Sequence, residues 1–255
     1  MQQAEITSED HQQKRSTLRL IVAIFLAALA VGGLGFSRKA LAALHGVHFH
    51  CNFTPKQRSQ WQFPHPEDWE IKTEGAVHYL HMVRPRDPGV PRRPLQFALL
   101  KNVNVGSFDL HVKARRKQHS LIIVFNYVDT MHFYYTHISG DQNVSNHNGI
   151  FIVNGAPRKQ MAGFGAKPAL PDMNWHTMRV VRNVRTGKID VYTDVQQTPI
   201  FSWVDKTFQC GQIGLGSFDE IGDFTDLDLR SSDGGCTPSA ANSAELLLQR
   251  PQFQP

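Results

Sequence analysis

Residues 121–139, LIIVFNYVDTMHFYYTHIS, restrict this chain more than any other stretch. Two runs rich in Val, Ile, Phe and Tyr flank a short polar turn at Asp129-Thr130-Met131. β-Branched and aromatic side chains suit a pleated, packed surface better than a helix. The first run is apolar at successive positions, which predicts a central strand covered on both faces. Asn126, Asp129, His132, Tyr134, Tyr135 and His137 gather around the turn, a density of aromatic and hydrogen-bonding groups beyond what folding needs.

The rest of the chain from residue 67 repeats the theme. WEIKTEG, AVHYLHMV, LQFALLKNV, GSFDLHVKARR, GIFIVNG, PIFSWVD, GQIGLGSFD and FTDLDLR read as strands. In GSFDLHVKARR, Phe108, Leu110, Val112 and Ala114 alternate with Asp109, His111, Lys113 and Arg115, the mark of one buried and one wet face. In the last segment Phe224, Asp226, Asp228 and Arg230 share one face, with Leu227 and Leu229 on the other. A hairpin turns at Arg185-Thr186-Gly187, where Gly supplies the positive φ of a tight turn. Pro85, Pro88, Pro91 and Pro94 forbid a helix and force a loop, made basic by Arg84, Arg86, Arg92 and Arg93. Many short strands with turn signals between them predict an all-β sandwich or barrel.

The organisation divides at 1–19, a polar basic tail; 20–42, an apolar helical segment; 43–66, a linker; 67–230, the β-sandwich; and 231–255, a Ser/Gly/Pro-rich tail. Lys14, Arg15 and Arg19 precede the uncharged run IVAIFLAALAVGGLGF, a pattern of an export signal or a membrane anchor. Ala40-Leu41-Ala42 has the small-x-small form of a cleavage site. The sandwich is then expected outside the cytoplasm, secreted or held to the membrane. A net charge of +5 raises nucleic acid as a partner, but the basic residues are scattered and form no nucleic-acid signature. Cys51, Cys210 and Cys236 form no C-x-x-C pair, so a zinc site of the usual spacing is not expected. Pairing Cys51 with Cys236 would tie the first and last segments of the domain together; Cys210 with Cys236 is the alternative. His45, His48 and His50, beside Cys51, fit either a metal site or the polar face of an edge strand.

FNYVDTMHFYYTHI, GKIDVYTD, CGQIGLGSFD and FTDLDLR, in that order, resemble the concanavalin A-like jelly-roll domains, laminin-G-like bacterial domains and the 3-keto-disaccharide hydrolase family among them. The resemblance covers about Trp69 to Arg230. Asp129, the pair Tyr134-Tyr135, Trp175 and the turn Gly211-Gln212-Ile213-Gly214-Leu215-Gly216 carry it. It implies a jelly-roll sandwich of antiparallel strands, a poly- or oligosaccharide partner, and calcium as the candidate cofactor, although Thr225 stands where the family usually has Asp. The two-carboxylate E-x-D-x-x-E motif of the related glycosidases is absent, so catalysis is not implied and a hydrolase stays the alternative to a lectin-like module, with a structural or protein-binding sandwich as the third reading. The expected carbohydrate-binding residues are Asn126, Asp129, His132, Tyr134 and His137 on the hairpin, with Arg115 on the preceding strand.

Overall fold

The computed structural model describes residues 46–141, 145–233 and 235–238. The polar tail, the apolar segment 20–42, His45 and most of the C-terminal tail lie outside the described residues. Among those described, no helix is long and apolar enough to cross a membrane.

The strands in chain order are β1 Val47–Cys51, β2 Trp61–Gln62, β3 Trp69–Glu74, β4 Val77–Met82 and β5 Gln96–Leu100. Next come β6 Phe108–Arg116, β7 Ser120–Asp129, β8 His132–Ser139, β9 Gly149–Asn154 and β10 Lys159–Ala162. The set ends with β11 His176–Asn183, β12 Lys188–Thr193, β13 Phe201–Val204, β14 Gln212–Ser217 and β15 Gly222–Ser231. An eight-stranded sheet is ordered β13-β12-β11-β6-β15-β4-β3, with β1 also paired to β15. A seven-stranded sheet is ordered β10-β9-β8-β7-β14-β5-β2. All strand pairs are antiparallel, and the long-range pairings of β6 with β11 and β15 make the layout a jelly-roll sandwich.

Strand alternation builds the core between the sheets. Phe108, Leu110, Val112 and Ala114 of β6 point inward while Asp109, His111, Lys113 and Arg115 face out, as the pattern requires. They meet Leu121, Ile123 and Phe125 of β7 and Tyr134 and Ile138 of β8 in one apolar cluster. Each Val, Leu, Ile and Phe among them stabilises by roughly 1.5–3 kcal/mol through burial.

The seven-stranded sheet is apolar on its outer face as well. Phe97, Leu99, Ile122, Val124, Phe133, Tyr135, Phe151, Val153 and Phe218 form a second cluster, none more than 8% exposed. Part of the cover is the Pro/Arg segment between β4 and β5, which runs as a strap. Arg93 Nε donates to Thr130 O (2.7 Å) at the β7–β8 turn, and Arg158 N donates to Arg92 O (2.8 Å) just before β10. Arg92 lies over the Phe218 ring. This explains why β7 is apolar at consecutive positions: one face meets the opposite sheet and the other belongs to the outer apolar cluster.

Four local features depart from expectation. The stretch read as a linker contributes β1, which pairs in register with residues 227–231, so the domain begins well before residue 67. The alternation in β15 is broken by a bulge between Thr225 and Asp228, with Asp226 at φ 50°. The extra residue turns Phe224 inward beside Leu227 and Leu229 rather than out with the aspartates. Gly214 and Gly216 lie inside strand β14 and not in a turn; a Cβ on Gly216 would fall 2.1 Å from Gln96 O of the adjacent strand.

The fourth is the disulfide. Cys210 and Cys236 are bonded, with Cα atoms 5.8 Å apart, and Cys51 is a free, fully buried thiol. The Cys51–Cys236 pairing is excluded by register: Cys51 ends β1 opposite Leu227 and packs with it in the core. Burial pushes its thiol pKa up. Cys236 is instead carried toward the start of β6 as the chain leaves β15, where Asp233 accepts from Ser107 N at 2.7 Å.

Candidate functional site

The six residues expected to bind sugar are not brought together. Asn126 is fully buried at a β7 bulge with φ 44°; its Nδ2 donates to Val105 O (2.9 Å) and Gly106 O (3.3 Å). Tyr134 is fully buried and donates its hydroxyl to Asp205. His137 is 2% exposed on the outer face of its sheet, under the strap side, between Ser120 Oγ (2.8 Å) and Arg158 (3.2 Å). Burial, then the charges of Arg158, His147 and Arg92, holds its pKa well below that of an ordinary histidine. These three are corrected to interior roles, because β7 and β8 are covered on both faces. Arg115 belongs to the other sheet. Only Asp129 and His132 remain at the surface, bonded to each other at 2.8 Å across the turn.

A pocket of about 580 Å³ opens at the sandwich edge, where β9 and β10 of one sheet approach β13 of the other. Ile152, Asn154, Lys159, Met161, Phe164, Trp203 and Asp205 are among its walls. Phe201 and Trp203 share one face of β13. Phe201 is inside the core at 2% exposure, whereas Trp203 is 43% exposed. Phe164 is 68% exposed. The side chains of Asn154 and Lys159 have no hydrogen-bond or ion-pair partner among the described residues. Asp205 is fixed from beneath by the Tyr134 hydroxyl and by Thr207 N (2.8 Å). Burial first, and the bond to Asp205 second, raises the Tyr134 pKa, so the hydroxyl stays a donor. His132 is the register partner of Asn154, so His132 borders the pocket on the same face. The hairpin thus supports this site through Tyr134 and flanks it through His132. Reading the sequence missed Trp203 and Phe164; the signal was Trp203 two residues from Phe201 at the end of an edge strand.

On the outer face of the eight-stranded sheet, Arg115 is stacked 4.4 Å from Trp175 and 5.2 Å from Tyr79. It donates to Asp223 (2.9 Å) and Glu74 (2.9 Å), and His81 bonds the same Asp223 at 2.7 Å. Asp223 is fully buried; burial alone would raise its pKa, and the bonds from His81 and Arg115 outweigh this and lower it. The cluster joins β3, β4, β6 and β15 and satisfies itself internally.

Among the described residues, neither Thr225 nor the His65, Glu67 and Asp68 group fits calcium. Thr225 donates its hydroxyl to His78 O at 2.6 Å. His65, Glu67 and Asp68 hold donor atoms within 4.8 Å of one another. Yet Arg86 and Arg84 already occupy the Asp68 carboxylate at 2.5 and 2.9 Å, and Arg86 also takes Glu67 at 2.8 Å. On β1, His48 and His50 face outward toward Asp228 while Cys51 faces the core, the polar-face arrangement rather than a ligand set.

His176 opens β11 between Asp194 (2.9 Å) and Asp172 (3.0 Å). Burial would lower its pKa, but the two carboxylates prevail and raise it. A raised folded-state pKa contributes stability that is fully present below the unfolded value near 6.5 and fades as pH rises through the folded value. His176→Asn should therefore be destabilising relative to the unsubstituted chain at pH 5.5, with the gap narrowing toward pH 9. Urea midpoints across that range check it, and a gap that widens with pH would contradict the assignment.

No protein-family model and no curated protein matches the chain. Solved structures do match. A carbohydrate binding module, CBM66, from Bacillus subtilis superposes with TM-score 0.53 at 15% identity, over 68% of this chain and 96% of that one. Winged bean acidic lectin, complexed with methyl-α-D-galactose, gives TM-score 0.50 at 11% identity, over 73% and 98%. The domain therefore has the concanavalin A-like jelly-roll fold; identities this low establish the fold alone.

Proposed function

We propose that this protein is a non-catalytic, carbohydrate-binding β-sandwich held outside the cytoplasm, with its saccharide site in the edge pocket beneath Trp203 and Phe164. The observation that carries this is the pair of exposed aromatic rings beside an open pocket that also holds unpartnered polar side chains. An aromatic face covers the apolar side of a pyranose, and Asn154, Lys159 and Asp205 supply the donors and acceptors for its hydroxyls. Sites for small molecules commonly combine an apolar wall with a few placed polar groups. The two fold neighbours, a carbohydrate binding module and a lectin by name, support the reading without assigning it.

The hydrolase alternative has less support. Glycoside hydrolysis ordinarily uses two carboxylates facing the scissile bond, and Asp205 is the single carboxylate among the pocket's lining residues. The Cys210–Cys236 disulfide supports an oxidising compartment, in agreement with the export or anchor pattern at 20–42.

The test is retention of the full chain, in detergent, on a panel of immobilised polysaccharides, with released sugar measured on the same samples. Truncating a central Trp in a binding site costs about 2 kcal/mol, or roughly 30-fold in affinity. Trp203→Ala should show that loss with an unchanged unfolding midpoint, and Phe164→Ala a smaller one. Retention indifferent to both substitutions would remove the pocket from consideration, and released sugar would establish the hydrolase instead.

A further inference from the structure

Two guanidinium groups converge on one ring on the outer face of the seven-stranded sheet. Arg92, on the strap, lies 4.8 Å from the Phe218 centroid, and Arg158, between β9 and β10, lies 4.2 Å from it. The two guanidinium carbons are thus within about 9 Å of each other, the sum of those distances. Most other arginines of the strap and its surroundings have their charge or donors taken up. Arg84 and Arg86 pair with Asp68, and Arg93 donates to Thr130 O and Pro91 O. Arg92 and Arg158, like Arg93, have no carboxylate partner among the described residues, and these two share one ring.

Their surroundings reinforce the imbalance. Arg158 Nη1 reaches Tyr135 Oη (3.1 Å) and His137 Nδ1 (3.2 Å), both neutral groups. It also lies 4.9 Å from the Phe151 ring. Among the described residues Arg92 has no side-chain hydrogen-bond partner, and its residue is exposed. The backbone bond from Arg158 N to Arg92 O (2.8 Å) fixes the two residues side by side, and the prolines of the strap limit its freedom to carry Arg92 away. A guanidinium presents its donors in a planar fork suited to carboxylate and sulfate oxygens, and a pair held rigidly against aromatic rings is preorganised to receive one.

We propose that Arg92 and Arg158, seated on Phe218, form an anion site for the carboxylate or sulfate group of an acidic saccharide. This rests on the carbohydrate reading for the identity of the carrier, and on the arginine pair for the charge. The chain provides a route between the two places: Arg158 lies between Pro157 and Lys159, which line the edge pocket on the other side of the same hairpin. A bound polymer can follow the β9–β10 edge with neutral faces against Trp203 and its acidic group at Arg92.

Two measurements on the full chain test this separately. The first is calorimetric titration with inorganic sulfate at constant ionic strength, comparing the unsubstituted chain, Arg92→Gln, and the exposed control Arg185→Gln. The second is retention on polygalacturonate, dextran sulfate and uncharged dextran, with Trp203→Ala added. Arg92 is exposed, so its substitution leaves folding intact; an unchanged unfolding midpoint verifies that. The expected result is sulfate binding weakened about tenfold by Arg92→Gln and untouched by Arg185→Gln, with at least one acidic polymer retained over dextran. Sulfate binding lost in Arg92→Gln, with no polymer retained, keeps the anion site and overturns its saccharide carrier. Equal losses in Arg92→Gln and Arg185→Gln, or no sulfate binding at all, would overturn the site itself. Preference for polygalacturonate or for dextran sulfate separates a carboxylate from a sulfate ligand.

Discussion

Arg182→Met is expected to lower the thermal unfolding midpoint by about 10 °C, one of the two largest effects of any single substitution in the domain. Arg182 is 1% exposed on β11, where alternation points it into the core. Its Nη1 donates to Gly187 O (2.6 Å) and Asp205 O (2.9 Å), Nη2 to Phe208 O (3.0 Å), and Nε to Asn126 Oδ1 (3.2 Å). The guanidinium also lies over the Tyr134 ring at 5.3 Å. Burial lowers its pKa, with Tyr134 and Asp205 opposing. One side chain thus fastens the β11–β12 turn, the 205–208 segment and the β7 bulge together. Methionine fills similar space but leaves three carbonyls and an amide oxygen facing apolar groups. Each unsatisfied buried acceptor costs about 1–3 kcal/mol, and partial relaxation brings the total to about 4 kcal/mol. At 2–4 °C per kcal/mol for a domain of this size, the midpoint falls by about 10 °C. Arg182→Lys keeps the charge but not the fork and should recover less than half of the loss. A shift under 2 °C for the methionine variant would refute this account of the core. Because Asp205 is held in the same network, the destabilised variant should lose saccharide retention as well.

Removing the Cys210–Cys236 bond should have an effect of similar size. The bond closes a loop of 26 residues, and on the chain-entropy account this stabilises by about 3.5 kcal/mol. Cys236→Ser is expected to lower the midpoint by about 7–14 °C, and reductant should do the same to the unsubstituted chain. Thiol counting supplies the complementary measurement. Cys51 should resist alkylation in the native protein and react once unfolded, being fully buried. Peptide mapping that found Cys51 in a disulfide would sink the pairing described here.

The fold was legible where chemistry repeats along the chain. Leu110, Val112 and Ala114 against His111, Lys113 and Arg115 declare the two faces of β6, and the doubly apolar run 121–125 declares a strand covered on both sides. Pairing between distant segments was not legible. Residues 47–51 read as a linker because the strand that completes them lies at 227–231, and nothing local to His48 or Phe49 announces it. The bulge in β15 was hidden for a related reason: Asp226 adopts a positive φ that aspartate tolerates and does not advertise.

The site was harder to read. Tyr134 and Tyr135 point to opposite faces of β8, so at least one looked available to a ligand. Neither is, because the opposite sheet covers Tyr134, and Tyr135 lies in the outer apolar cluster on the strap side. The sequence shows that residues 84–94 form a basic, proline-broken loop, but not where that loop comes to rest. Trp203 presents the converse problem. Its alternation with Phe201 marks it as inward-facing, yet at the end of an edge strand it is left 43% exposed.

The pairing of β1 with β15 also sets how the domain carries mechanical load. Val47 lies opposite Ser231 and Cys51 opposite Leu227, so the chain enters and leaves the sandwich side by side at one end. A pull that separates these two points opens the ladder one residue pair at a time, rather than shearing all five together. Under tension the first strand peels from Val47 onward, and the thiol of Cys51 is the last group of that strand to be uncovered.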